Sequence, residues 1–490
     1  MKKVRMIAGA SCLQAGMFIL LAFAGLSCST GLPKATLVTT TEDSSWELQS
    51  SVAPSTTAPE TVDVDVLIDP LQVQQSIEGF GTCFNELGWT SLSLLDESAI
   101  EDIMVELFRP GAGANFTICR MPVAANDFSR DWYSYNETEG DFAMENFSIE
   151  NDRQTLLPFI KTAREYMPAL KIWASPWSPP SWMKHNKHYA ACSSSAVSAK
   201  VDNGLPEDRQ GKEGTDMFIC EEPYLKAYAL YFAKFIDAYN EEGIRIFAVM
   251  PQNEFNSAQI FPSCCWTAAG LTDFVGKYLG PAMYEREVEV MFGTMERPNG
   301  ALVDTALNDP VAGKFIRGVG FQWAGKDALP GIYERYPRLR LYQTEQECGD
   351  GKNDWKGAVH SWNLMKHYMN NGISAYMYWN TSLRQGGISR WGWAQNSLIV
   401  VNEDGTYNYT PEYYTLKHVS HYVQQDARKL KVAGAYDDVL AFINPDQSIV
   451  VVIANRTESQ QTLSIKVNGK IYTPRLKAKS LSTLFIRNDE

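Results

Sequence analysis

Ile244-Arg-Ile-Phe-Ala-Val-Met-Pro-Gln-Asn-Glu254 is an apolar, β-branched run that breaks abruptly into polar residues and stops on a carboxylate. Arg338-Leu-Arg-Leu-Tyr-Gln-Thr-Glu345 repeats the pattern further along the chain. In a barrel of alternating strands and helices, functional groups sit at the strand C-termini, so two strands that each end on a glutamate suggest both a fold and a site.

Working outward from these two, Ile244–Met250 and Leu339–Thr344 join six further strand candidates. They are Ile77–Phe84, Phe116–Val123, Lys171–Trp177, Glu287–Phe292, Gly318–Trp323 and Ile373–Trp379. Helical patterns separate many of them. In the clearest, Leu225, Tyr228, Ala229, Phe232, Phe235, Ile236 and Tyr239 fall on one face between Tyr224 and Tyr239, and Glu241-Glu242-Gly243 ends it. Strand and helix alternating in this way predict an α/β chain with a (β/α)₈ barrel over 76–428. Long loops, notably His185–Glu222, account for its length beyond a minimal barrel.

After Lys429 the pattern changes to short β-rich runs at Val439–Ile443, Ile449–Ile453, Thr462–Val467 and Leu481–Ile486. Asn444-Pro-Asp-Gln447 and Asn468-Gly469 separate some of them, and Asn-Gly between strands signals a hairpin. Residues 429–490 therefore read as an all-β side domain. Val62–Ile68 alternates apolar with acidic residues, as a half-buried strand does, and 61–75 is expected to supply an N-terminal strand to that domain. Residues 28–60 are Ser/Thr-rich with Pro33, Pro54 and Pro59, and read as a flexible linker.

Lys2, Lys3 and Arg5 precede an apolar stretch from Met6 to Leu26, and Gly25-Leu-Ser-Cys28 follows. Residues 1–27 read as a bacterial export signal of the lipoprotein type, with a lipid on Cys28 as the expected anchor at the cell surface or in the periplasm. Cleavage near the same place would give a secreted protein instead. The net charge of −13 argues against nucleic acid as a partner, and against electrostatic docking on anionic membranes. A monomer is expected. Cys83, Cys119, Cys192, Cys220, Cys264, Cys265 and Cys348 follow Cys28. Cys192 and Cys220 bracket a polar loop and form the expected disulfide, and the odd count leaves at least one thiol free. No CxxC or HExxH pattern occurs, so no metal and no cofactor are expected, and His418 and His421 read as core or surface histidines.

Two carboxylates at a barrel rim are the minimal equipment for cleaving a glycosidic bond, and the surrounding tryptophans suit sugar stacking. Glu254 is assigned as acid/base, and Asn253 as the amide that bonds the sugar 2-hydroxyl. Such an acid needs a raised pKa, from a partly apolar site and a second carboxylate. Glu345 or Glu347 is the nucleophile. Glu345 is preferred, because Glu347 lies in the glycine-containing exit Glu347-Cys-Gly-Asp-Gly351 and would contact sugar or orient a neighbour.

The chain resembles glycoside hydrolase family 30, the family of glucosylceramidases and microbial β-1,6-glucanases. The resemblance runs from Ile77 to the C-terminus. It rests on Ile77-Glu-Gly-Phe-Gly81, Arg120-Met-Pro-Val123 with Asn126-Asp-Phe-Ser129, and Ala174-Ser-Pro-Trp-Ser-Pro-Pro-Ser-Trp-Met-Lys184. Pro251-Gln-Asn-Glu254, Thr344-Glu345 and Tyr378-Trp-Asn380 complete the series. It implies a (β/α)₈ barrel, a β-sandwich side domain built from both chain ends, and retention of configuration. It also implies that Asp127 grips sugar hydroxyls, that Trp177 packs beside the sugar, and that Trp379 forms the floor under it. Trp323 and Trp391 are added as sugar contacts, although Trp391-Gly-Trp393 would equally serve to pack the last loop. One departure stands out. Glucosylceramidase-like members carry His-Trp-Tyr where this chain has Gln322-Trp323-Ala324. That change, together with the stretches Lys184–Tyr189 and Glu345–Trp355, favours the β-1,6-glucanase branch and a β-linked glucan or oligosaccharide as substrate. Glucosylceramidase, β-xylanase, β-glucosidase and β-fucosidase activities are the alternatives. A non-catalytic glycan-binding surface lipoprotein is a remote one.

Overall fold

The computed structural model describes residues 35–49, 51–55 and 64–488. The export signal and Cys28 lie outside the described residues.

Eight parallel strands close into a barrel in chain order: β1 (Gly79–Cys83), β2 (Ile118–Val123), β3 (Lys171–Pro176), β4 (Ile246–Val249), β5 (Glu289–Met295), β6 (Ile316–Gln322), β7 (Arg340–Glu345) and β8 (Ala375–Asn380). β8 pairs with β1 to complete the ring. Each coincides with a strand expected from the sequence. Every residue of β2 and of β8 is buried, as expected of strands covered by helices outside and packed side chains inside. A Cβ on Gly81 would lie 1.6 Å from Ile118 O, so only glycine lets β1 approach β2 this closely. The helix read at Tyr224–Tyr239 spans Glu222–Glu241, opens with Pro223 in its first turn, and buries all seven expected residues.

The side domain draws on both ends of the chain. Val66–Ser76 pairs antiparallel with Arg428–Ala433 and parallel with Ile465–Val467, as anticipated for an N-terminal strand. Ile465–Val467 and Lys470–Tyr472 form the hairpin signalled by Asn468-Gly469, both of which have positive φ. The strand Ile449–Asn455 divides its side chains by alternation. Ile449, Val451 and Ile453 enter the sandwich core, while Val450, Val452 and Ala454 pack into the larger core around the barrel.

Two expectations need correction. The 28–60 stretch is not wholly a linker, because Thr36–Thr41 is a strand paired along its length with Ser480–Ile486, and Glu47–Leu48 pairs with it in turn. Its threonines are β-branched, and Ala35 and Leu37 sit in the sandwich core, so packing overrides a composition that suggests a tether. Cys192 and Cys220 are both free thiols. Cys192 follows a chain segment held by Gln259 O and points at Gln210, whereas Cys220 bonds Phe218 O just ahead of the Glu222 helix. His418 is a core histidine that shares 2.8 Å hydrogen bonds with Thr40 and Thr483, and His421 bonds Gly113 O.

Candidate active site

The C-terminal ends of the strands converge on a buried polar network whose centre is Arg120. This arginine sits in the middle of β2, fully buried, with its guanidinium 4.3 Å from the Trp177 ring centroid and 5.1 Å from that of Trp173. It donates to Glu345 Oε2 at 2.8 Å, to Asn253 Oδ1 at 2.6 Å and to Ser175 Oγ at 2.9 Å. Glu345, the last residue of β7, also accepts from Trp323 Nε1 at 3.0 Å. Gln322, the last residue of β6, bridges the two halves. Its Nε2 lies 3.0 Å from Glu254 Oε1 and 3.3 Å from Glu345 Oε2. The two carboxylate oxygens are therefore no farther apart than the sum of those distances.

The backbone is shaped to deliver these groups. Glu254 and Trp323 both adopt left-handed conformations, at φ 47° and 45°, which cost a non-glycine residue on the order of 1–3 kcal/mol. The Glu254 amide donates to Thr294 Oγ1 at 2.8 Å, and this bond, together with those of Gln322, offsets that cost. Asn253 Oδ1 accepts from Arg120, Gln322 and Thr294, leaving Nδ2 with no hydrogen-bond partner among the described residues.

The two glutamates differ in environment. Burial, then the charges of Glu345 and Glu296, push the Glu254 carboxyl well above the usual carboxylate range. Burial also raises Glu345, but Arg120, Trp323 and Gln322 all oppose it. Both carboxyls are raised, Glu254 the further, so of the two Glu254 holds its proton the more firmly and Glu345, beside Arg120, gives its proton up more readily. Asp127, raised by burial and by Glu345, receives the Trp379 indole N–H at 3.2 Å. Asp127 Oδ1 and Glu254 Oε2 are buried without a hydrogen-bond partner among the described residues. Both residues border a cavity of about 300 Å³ whose wall also includes Trp177, Trp323, Glu345 and Glu296. Buried acceptors left unpaired in residues that border a cavity suit a ligand with many hydroxyls.

Three expected contacts are not in the wall of this cavity. Glu347 is turned away and paired with Lys326 at 2.8 Å and His360 at 3.0 Å, and these partners outweigh burial and hold its carboxyl below the usual range. Trp379 is fully buried, stacked on Trp177 with centroids 5.0 Å apart, so Trp177 is the indole that faces the cavity. Trp391 packs edge-on to Trp132 and lines a second cavity adjoining this one, while its neighbour Trp393 borders the catalytic cavity.

Arg120, Gln322 and Glu296 were not assigned roles from the sequence. A lone arginine inside the apolar run Ile118-Cys-Arg-Met-Pro-Val123 was a signal for the first. Glu296 follows β5 directly, so the run Val288–Met295 breaks onto a glutamate as β4 and β7 do. Among the described residues no group of three or more His, Cys, Asp or Glu side chains is arranged to hold a metal ion. In a separate cavity of about 360 Å³ beside helix Trp355–Asn370, Arg456 pairs with Asp438 and Lys479 with Glu458.

The model of the glycosyl hydrolase family 30 TIM-barrel domain matches residues 77–423, and that of the family 30 β-sandwich domain matches residues 434–484. Putative glucosylceramidase 1 of Caenorhabditis elegans is 27% identical over 86% of this chain and 83% of its own length. Endo-1,6-β-D-glucanase neg1 of Aspergillus fumigatus is 25% identical over 84% and 85%. The crystal structure of SrfJ from Salmonella typhimurium superposes with a TM-score of 0.82 at 22% identity, over 93% of this chain and all of that one.

Proposed function

The chain belongs to glycosyl hydrolase family 30 and is a hydrolase of glycosidic bonds, and from that premise we propose that it cleaves β-1,6-glucosidic bonds in glucan with retention of configuration. The observation that carries retention is the single Gln322 Nε2 touching both carboxylates. Retaining glycosidases hold their two carboxyl groups about 5–5.5 Å apart, whereas inverting ones need roughly 6.5–9.5 Å to admit a water.

In this reading Glu345 attacks the anomeric carbon, and Glu254 gives its proton to the departing glycosidic oxygen. Glu254 then takes a proton from the water that releases the sugar from Glu345. Arg120 and Trp323 hold the nucleophile in its charged form and in one rotamer. Asn253 offers its unengaged Nδ2 to the sugar 2-hydroxyl, and Asp127 accepts from hydroxyls farther round the ring. The same pair predicts a bell-shaped pH profile. Activity falls at low pH as Glu345 gains a proton, and at high pH as Glu254 loses one.

The 1,6-linkage is supported by the Aspergillus relative, named as an endo-1,6-β-glucanase, and by Ala324 in place of the glucosylceramidase tyrosine. Glucosylceramide is the second reading, favoured by the Caenorhabditis relative. Product chromatography on linear β-1,6-glucan, with β-1,3-glucan, β-1,4-xylan and glucosylceramide in parallel, separates them. A ladder of β-1,6-oligosaccharides is the expected result, and turnover of glucosylceramide alone overturns the linkage. Export as a Cys28 lipoprotein is part of the same proposal, and metabolic labelling with a fatty acid that is lost in Cys28→Ala tests it.

A further inference from the structure

A second cavity of about 450 Å³ shares Gly349, Trp393 and Ala394 with the catalytic cavity. Its walls come from two loops that the barrel itself does not need, Ser198–Lys200 within the long 185–222 loop and Ile388–Ala394 after β8. Both volumes fall within the range of small-molecule sites, roughly 300–1,000 Å³.

These walls are well fixed. The Ile388–Ala394 segment is a small hairpin. Ile388 bridges Ala394, Ser389 N donates to Trp393 O at 2.8 Å, and Gln395 N donates to Gly387 O at 2.9 Å. Trp391 anchors it by packing against Trp132 at 4.9 Å. The long loop is tied down at its start by Lys184. Its buried ammonium donates to Tyr189 O and Ser263 O, each at 2.7 Å. Between the two cavities stands Trp393, braced edge-on by Phe261 at 5.0 Å. Its indole N–H is buried and has no hydrogen-bond partner among the described residues. The outer cavity is amphipathic, with Ile260, the 67% exposed Ile388 and the indole face on one hand, and Lys200 and Asp350 on the other.

We propose that this outer cavity is a distal sugar site, which binds a further glucosyl unit of the same chain whose neighbour is being cleaved, with Trp393 as the platform at the junction. An apolar sugar face fits the isoleucines and the indole. Sugar hydroxyls reach Lys200 and Asp350. The inference rests on the β-1,6-glucan reading and adds its consequence: an extended chain is gripped beyond the catalytic unit.

The test is kcat/KM for linear β-1,6-gluco-oligosaccharides of two to six units, in the wild type, in Ala199→Trp, which fills the outer cavity, and in Ile388→Ala, which removes an exposed wall. The readout is the ratio of the longest to the shortest substrate within each protein, so a change in the fraction folded cancels. The wild type is expected to gain about tenfold or more with length, equivalent to about 1.4 kcal/mol. Ala199→Trp should return the ratio toward one, and Ile388→Ala should lower it. A wild-type ratio near one, or an unchanged ratio in both variants, overturns the distal site and leaves the β-1,6 reading intact. If no β-1,6-oligosaccharide is cleaved although another β-glycoside is, the linkage reading falls and takes this inference with it.

Discussion

At the mouth of the barrel, Arg120, Asn253, Glu254, Gln322 and Glu345 are buried polar groups, each held by partners from other strands. In the side domain, Leu37, Val66, Val451 and Leu484 are just as buried, but the sheet is held by backbone pairing and apolar contact. The sheet gains stability from what it buries. The mouth spends stability to bury charge, because taking an ion pair out of water costs more than most pairs return. Substitutions at the mouth should therefore change rate and pH dependence, whereas those in the sheet should change only melting.

The strongest way to break this contrast is to remove the reacting carboxylates. Glu345→Gln should lower kcat by about 10⁴-fold or more, and Glu254→Gln by about 10²–10⁴-fold on substrates with poor leaving groups. Glu254→Gln should melt no earlier than the wild type, because the amide keeps the shape of a protonated carboxyl, whereas Glu345→Gln leaves Arg120 buried without its anion and should melt earlier. Steady-state kinetics with thermal melts checks both halves. Arg120→Met comes next. It leaves Glu345 buried without its cation and should destabilise by about 3–5 kcal/mol. Because Arg120 lowers the Glu345 pKa, its loss raises that pKa, and the acidic limb of the rate profile should move to higher pH. Urea melts and a pH–rate profile read the two effects separately. Leu37→Ala, in the sheet, should cost about 2–3 kcal/mol, toward the low end for a buried leucine because its strand lies near the sheet edge. It should leave kcat unchanged, and a changed kcat would show that the two regions are not independent.

The same contrast explains what the sequence revealed. The barrel was legible because its strands are apolar runs with polar breaks, and six short motifs fell in order along them. Glu254 and Glu345 were legible because each ends such a run. Thr36–Thr41 was hidden, because a threonine-rich segment looks like a tether until Ser480–Ile486 offers it an edge. Glu347 was misplaced because strand alternation stops at Glu345, after which the chain turns toward Lys326 and His360. The Cys192–Cys220 bridge was read from loop bracketing alone, and sequence spacing says nothing about where two loop ends point. Arg120 needed three dimensions, since its partners come from β3, β6 and β7 and from the turn after β4.

The smallest expected effect is also the sharpest test of how the mouth works, and it concerns Glu296. This carboxylate borders the catalytic cavity and is paired with Arg297, which is itself held by Glu213 from the long loop. Glu345 contributes most, after burial, to raising Glu254, and Glu296 comes next; Asp127 raises it too, and Gln322 opposes them. Glu296→Gln keeps the shape and an acceptor for Arg297 but deletes the charge. With less negative potential around it, Glu254 gives up its proton more readily, so its pKa falls. Activity that depends on protonated Glu254 should then be lost at lower pH. The alkaline limb moves down by a fraction of a pH unit, while the acidic limb, set by Glu345 beside Arg120, stays nearly in place. If both limbs move together, the charge at Glu296 acts on the whole mouth rather than on the acid. If neither moves, Arg297 already neutralises it, and the proton on Glu254 is held by burial and Glu345 alone.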